Sequence, residues 1–283
     1  MTVFEIIKIS GNVKKLLALS LGVCLISICC ALYELPDDKF HIYFFDVGQG
    51  DSILIKTPQN HKILIDGGPR DFVLERLGEV MPFLDKEIDF VVLTHTHADH
   101  LEGLVEVLKR FEVKAVLITG ASSSDPTYKE FLKTISEKNI PIYFAERKND
   151  FVFGEVFFDV LYPFKSVIGE NFENINNSSI GMNIMFEDIQ ILTLGDLERD
   201  KEAELLKRPL PHSVNIYKAS HHGSKTSSSI DFLKKISPKE VVIQVGEGNK
   251  FKHPSPETIR NLHRANVEKI YRNDIEGTVK FVF

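Results

Sequence analysis

Residues 94–100 read Thr-His-Thr-His-Ala-Asp-His and follow directly on the apolar run from Ile88. The segment after them, Leu101–Arg110, sets Leu101, Leu104, Val105 and Leu108 on one helical face. The chain must therefore pass from strand to helix through a loop crowded with imidazole and carboxylate. His95 and His97 stand two apart and point the same way in extended backbone. Asp99 and His100 fall where strand becomes helix, so the loop aims them at a second point nearby. This donor set suits zinc, manganese or iron. Taken alone, Asp99 reads as an N-cap of the helix. Taken together, His95, His97, Asp99 and His100 are candidate metal ligands.

Further donors must come from elsewhere. The three cysteines, Cys24, Cys29 and Cys30, all lie near the N-terminus. A disulfide framework or a thiolate zinc site in the remainder is thereby excluded. Asp196 closes the strand-like Leu192–Asp196, where Gly195 permits close backbone approach; a plain Gly-Asp turn is the alternative. His221 and His222 follow the strand-like Val214–Ala219 and precede Gly223. His253 opens His-Pro-Ser-Pro, either as a loop residue or with a role in the site. Asp66 ends Leu-Ile-Asp before Gly67 and Gly68, as a turn or as a carboxylate that orients a ligand imidazole.

Apolar runs and turn residues place strands at Phe40–Val47, Ser52–Thr57 and Lys62–Asp66, an antiparallel meander. Helical patterns at Asp71–Val80, Leu101–Arg110 and Thr127–Lys138 alternate with strands at Ile88–Thr94, Val113–Thr119 and Pro141–Ala145. A second set follows, with strands from Phe151 to Val282 and helices at Arg199–Lys207, Ile230–Ile236 and Pro256–Ala265. Two such halves predict an α/β chain folded as a four-layer αββα sandwich. With 43% hydrophobic and 26% charged residues the chain is of ordinary globular composition, and a mean hydropathy of −0.06 excludes a polytopic membrane protein. The net charge of −6 argues against non-specific nucleic-acid binding by the whole surface. Residues 199–283 are nevertheless basic, with 16 Lys and Arg against 10 Asp and Glu.

Leu16–Tyr33 carries no charge and as a helix would measure about 27 Å, close to the thickness of a bilayer's hydrocarbon core. Lys8, Lys14 and Lys15 precede it, and Glu34, Asp37 and Asp38 follow it. The expectation is two parts: residues 1–33 as cytoplasmic tip and transmembrane anchor, and residues 34–283 as one extracytoplasmic domain. The alternative is a cleaved signal peptide and a secreted domain.

The motifs FDVGQGDS (Phe45–Ser52), LIDGG (Leu64–Gly68), LTHTHADHLEGL (Leu93–Leu104), NNSSI (Asn176–Ile180), LTLGD (Leu192–Asp196), ASHHGSKTS (Ala219–Ser227), KHPSP (Lys252–Pro256) and YRNDIEGTV (Tyr271–Val279) resemble, in this order, the metallo-β-lactamase superfamily. The branch they resemble is the C-terminal hydrolase domain of the ComEC DNA-uptake family. The resemblance implies two divalent metals, zinc or manganese. One would be held by His95, His97 and Asp196, the other by Asp99, His100, Asp196 and one His of the His221–His222 pair. His222 is the expected ligand of that pair, since Gly223 lets the backbone turn tightly after it. The middle-chain His that many superfamily members add is absent, because no His lies between His100 and His212. Only about 33 residues precede the hydrolase region, room for one helix and not for a transport channel.

Two metals roughly 3.5–4 Å apart activate a water for attack on phosphorus or carbonyl. Candidate catalytic residues are Asp99, His221, His253 and Lys225, with Lys218 a further proton donor. The expected activity is a membrane-anchored phosphodiesterase, a nuclease acting on DNA among the options. Hydrolysis of a cell-surface phosphodiester and a non-catalytic binding module are the alternatives.

Overall fold

The structure is a computed structural model that describes residues 11–33, 37–82 and 84–283; in the first helix it describes the side chains of residues 11–25 and 27. Residues 1–10 and 34–36, which flank the expected anchor, lie outside the described residues. In chain order the elements are α1 (Gly11–Tyr33), β1 (His41–Phe44), β2 (Ile53–Lys56), β3 (Lys62–Ile65), α2 (Phe72–Val80), β4 (Glu87–Ile88), β5 (Phe90–Val92), α3 (Ala98–Arg110), β6 (Glu112–Val113), β7 (Val116–Ile118), α4 (Pro126–Glu137), β8 (Ile142–Phe144), β9 (Phe151–Phe153) and β10 (Val156–Tyr162). There follow β11 (Gly181–Phe186), β12 (Ile189–Thr193), α5 (Arg199–Leu205), β13 (Ile216–Lys218), α6 (Ile230–Ile236), β14 (Glu240–Ile243), α7 (Pro256–Arg264), β15 (Lys269–Arg272), α8 (Asn273–Glu276) and β16 (Val279–Val282).

One sheet runs β16-β1-β2-β3-β5-β7-β8 and the other β15-β14-β13-β12-β11-β10-β9. The alternation of side chains along each strand sorts them into three apolar layers. Ile42, Phe44, Ile53, Ile55, Ile63, Ile65 and Val92 meet Phe158, Ile184, Ile191, Ile216 and Val242 between the sheets. Tyr43, Leu54, Leu64 and Val91, one residue out of phase, pack outward on Val73, Leu104, Leu108, Phe131 and Ile135 of α2, α3 and α4. Leu192, Tyr217, Val241 and Ile243 pack the other way on Leu205, Phe232, Leu233 and Leu262 of α5, α6 and α7. Each fully buried side chain of this size contributes about 1.5–3 kcal/mol. The result is an αββα sandwich with helices on both outer faces.

The helix starts follow local chemistry. Asp125 accepts from Thr127 N at 2.7 Å ahead of Pro126, and Ser255 accepts from Thr258 N at 3.1 Å ahead of Pro256. Three sequence expectations need correction. The helix after the histidines starts at Ala98, with His97 as its N-cap, so Asp99 and His100 belong to its first turn. The run Ile88–Thr94 splits, because β4 pairs with β6 while β5 joins the large sheet. The last strand does not stay with its neighbours in sequence but crosses to pair with β1.

In α1, Leu16, Leu17, Leu19, Leu21, Val23 and Leu25 are all more than half exposed. Among the described residues no helix is long and apolar enough to cross a membrane, the side chains of α1 being described only in part.

Candidate metal centre

The site forms where β3, β5, β12 and β13 end together. Asp66, just past β3, accepts from Thr94 N at 2.8 Å and Thr94 Oγ1 at 2.7 Å, which pins the loop that carries the histidines. The same carboxylate meets His100 Nδ1 at 2.8 Å and so turns Nε2 of that ring into the site. Helix α3 can lie this close because of two glycines. A Cβ on Gly67 would sit 2.4 Å from Leu104 N, and one on Gly103 would sit 2.0 Å from Gly67 O.

Asp196 stands at the centre. Its Oδ2 lies 3.4 Å from His100 Nε2, 3.5 Å from His222 Nε2 and 3.9 Å from both His95 Nε2 and His221 Nε2. Its backbone N–H donates to Ser179 Oγ at 3.0 Å, which fixes the turn after β12. His95 Nε2 is 3.1 Å from His97 Nδ1, and His222 Nε2 is 3.1 Å from Asp99 Oδ2. Three groups, His95–His97–Asp196, Asp99–His100–His222 and Asp51–His100–Asp196, each bring their ligand atoms within 4.8 Å of one another. The first two consist of residues that sequence reasoning assigned to the metals; Asp51 in the third was not among them.

His221 and His222 diverge for a reason the sequence did not disclose. Both adopt left-handed backbone, with φ of 51° each, and Gly223 continues at φ 77°. The rings therefore splay, His222 inward and His221 toward Thr226 Oγ1 at 3.2 Å and Glu198 Oε1 at 3.4 Å. Gly223 makes room for Pro254 rather than for an ion, since a Cβ there would come within 2.7 Å of Pro254 Cβ.

Asp51, Lys218 and Gln244 were not recognised as parts of this wall. Lys218 is wholly buried, ion-paired with Asp51 and 3.8 Å from Asp196 Oδ1. It sits behind the site and cannot meet a leaving group, which corrects its reading as a proton donor. His222 Nδ1 faces Gln244 O at 3.0 Å and Asp51 Oδ1 at 3.1 Å. Asp51 lies within the FDVGQGDS motif that carries the resemblance, but it has no spacing relation to the histidines and was not assigned a role.

The electrostatics favour cations. Burial opposes charge on His100, yet Asp196, Asp66 and Asp51 outweigh it and hold the ring well above its usual pKa. His222 is likewise disfavoured by burial but raised to about 10 by Asp196 and Asp51. Asp196 is driven well below the usual carboxylate range, burial being overcome by His222 and His100. His95, by contrast, is pushed well down by burial and by His100. His100 Nε2 and Asp196 Oδ1 are buried without an aligned hydrogen-bond partner. Carboxylates that pull protons onto imidazoles, and buried donor atoms left unpaired, are what divalent metal ions would satisfy.

The cluster opens into a cleft of about 310 Å³ lined by Gln49, His97, Asp99, Asp196, His221, His222, Phe251 and His253. His253 thus reaches the site, its ring 5.8 Å from that of His221. Lys225 does not. Its exposed side chain borders a neighbouring depression with Glu198, Arg199, Thr226 and Glu257, next to the cleft rather than in its lining. A larger cavity of about 700 Å³, lined by Phe90, Tyr143, Phe151 and Phe153 at the edge of the sandwich, contains none of the clustered ligands.

Residues 45–247 match the model of the metallo-beta-lactamase superfamily, and the chain belongs to that superfamily. It is 28% identical over 277 residues to ComE operon protein 3 of Bacillus subtilis (strain 168), covering 90% of this chain and 35% of that protein. It is 28% identical over 254 residues to Competence protein ComA of Neisseria gonorrhoeae, covering 87% and 33%. The chain thus spans about a third of the length of these curated relatives. Among solved structures, the metallo-beta-lactamase fold protein YhfI of Bacillus subtilis aligns with a TM-score of 0.55 at 12% identity, covering 86% of this chain and 99% of that one. That likeness is one of fold.

Proposed function

We propose that this chain is a metal-dependent phosphodiesterase, anchored in the membrane by α1, with its domain on the extracytoplasmic side and DNA among its substrates. The observation that carries the reading is the single oxygen of Asp196 facing four imidazole nitrogens at the floor of an open cleft. Divalent metals, zinc or manganese, held by His95, His97 and Asp196 and by Asp99, His100, Asp196 and His222, would polarise the attacked group and lower the pKa of the attacking water.

The chain's own residues do the rest. Asp66 holds His100, and Ser179 holds Asp196, so the ligand atoms are set before substrate arrives. His221, backed by Thr226 and Glu198, lies beside Asp196 at the cleft wall, where it holds the attacked phosphate or gives a proton to the leaving oxygen. His253 stands next to it for the same task. Water adds to phosphorus, the ester P–O bond breaks, and the products are a phosphomonoester and an alcohol. The relative named a competence protein supports a DNA context. The exposed leucines of α1 support the anchor.

The test is hydrolysis by the purified full chain in detergent. Oligodeoxynucleotide and bis(p-nitrophenyl) phosphate should be cleaved after loading with manganese or zinc, and cleavage should stop with chelator. Cleavage of a cephalosporin with no action on either phosphodiester would refute the reading.

A further inference from the structure

Phe251 lines the cleft beside the clustered ligands yet is 54% exposed. Its ring stacks on His253, with centroids 5.7 Å apart and planes within 15°. The loop beneath it is firmly held. Asn249 donates to Gly246 O at 3.0 Å and His253 O at 2.8 Å, and accepts from His253 N at 2.9 Å. More than half of the Phe251 side chain is thus open to solvent on a loop whose backbone is held. Lys250 and Lys252 flank it, both exposed, with Lys250 Nζ 5.0 Å from the ring centroid. Gln49 lines the same cleft, and its Nε2 is buried without a hydrogen-bond partner.

We infer that Phe251 is a stacking platform for a nucleobase next to the scissile phosphate, and that the cleft selects single-stranded nucleic acid. The inference rests on the phosphodiesterase reading and narrows its substrate. Aromatic rings interleaved with lysines are the surface that single strands use, because every base offers a π-face while lysines track the phosphates. A wall polymer of acyclic polyol phosphates has no planar face to cover Phe251.

The experiment compares binding of two labelled oligonucleotides of equal length, oligothymidylate and a fully abasic strand, by fluorescence anisotropy. The full chain is kept in chelator so that neither is cut. The parent should bind oligothymidylate about tenfold more tightly than the abasic strand. In Phe251→Ala this ratio should fall to near one, and Phe251→Trp should restore it. Circular dichroism confirms that both variants are folded. An unchanged ratio in Phe251→Ala overturns the inference. So does displacement of oligothymidylate by poly(glycerol phosphate) as readily as by unlabelled oligothymidylate. A base preference in chelator, with no cleavage of either strand once metal is supplied, would instead count against phosphodiesterase activity while leaving the platform standing.

Discussion

Lys218 at the end of β13 closes a wholly buried ion pair with Asp51, which precedes β2 in the opposite sheet. The pair ties the two sheets together immediately behind the ligands. Burying it is costly, and removing one partner strands the other charge in a place water does not reach. Lys218→Met should therefore lose about 3–5 kcal/mol of unfolding free energy in urea titration. The double variant Lys218→Met/Asp51→Leu should be less destabilised than the sum of its two single changes. Strict additivity of the two losses would show that the residues do not act as a pair.

Metal content follows the geometry of Asp196. The full chain should bind about two divalent ions, measured by inductively coupled plasma spectrometry after dialysis. His97→Ala should weaken one site, Asp99→Asn the other, and Asp196→Asn both. Full occupancy in Asp196→Asn would disprove the central role of that carboxylate.

Asp66 touches no substrate space but fixes the His100 ring and Thr94. Asp66→Ala should weaken metal affinity about 10–100-fold, as read by competition with a chromogenic chelator. Parent-like affinity would mean that the ring is held without it.

The two adjacent histidines should separate cleanly. His222→Ala should lose metal and turnover together. His221→Ala should keep its metal yet turn over about 100-fold more slowly, with a smaller loss on p-nitrophenyl esters, whose leaving group needs no proton. Loss of metal from His221→Ala with normal content in His222→Ala would reverse the roles.

The anchor is tested in cells. The full chain should sediment with membranes, and protease added outside intact cells should digest the domain. Digestion only after lysis would place it on the other side.

Much of this was legible because the signals are local. The spacing of His95 and His97 and the apolar period of Leu101, Leu104 and Leu108 are each set within a few residues. The meander from β1 to β3 follows from its turns in the same way. What escaped depends on distant parts of the chain. Asp51 and Lys218 acquire meaning only once two sheets meet, and 167 residues separate them. That His221 and His222 diverge follows from their adjacency, but the left-handed backbone at both residues, which sets their directions, has no local sequence signal. Lys225 is exposed and lines a depression beside the cleft, a placement that its position in the motif does not specify.

The pairing of β16 with β1 joins Phe40 N to Phe283 O at 3.0 Å and Phe283 N to Phe40 O at 2.9 Å. During synthesis the first strand of the domain must wait for the last before its edge is covered. Until Val279–Val282 emerge, the backbone of His41–Phe44 is an open template for any passing strand. Closure over such a sequence separation is slow. A domain of this kind therefore completes its first sheet only after its second is made, so that the two sheets cannot fold as separate units.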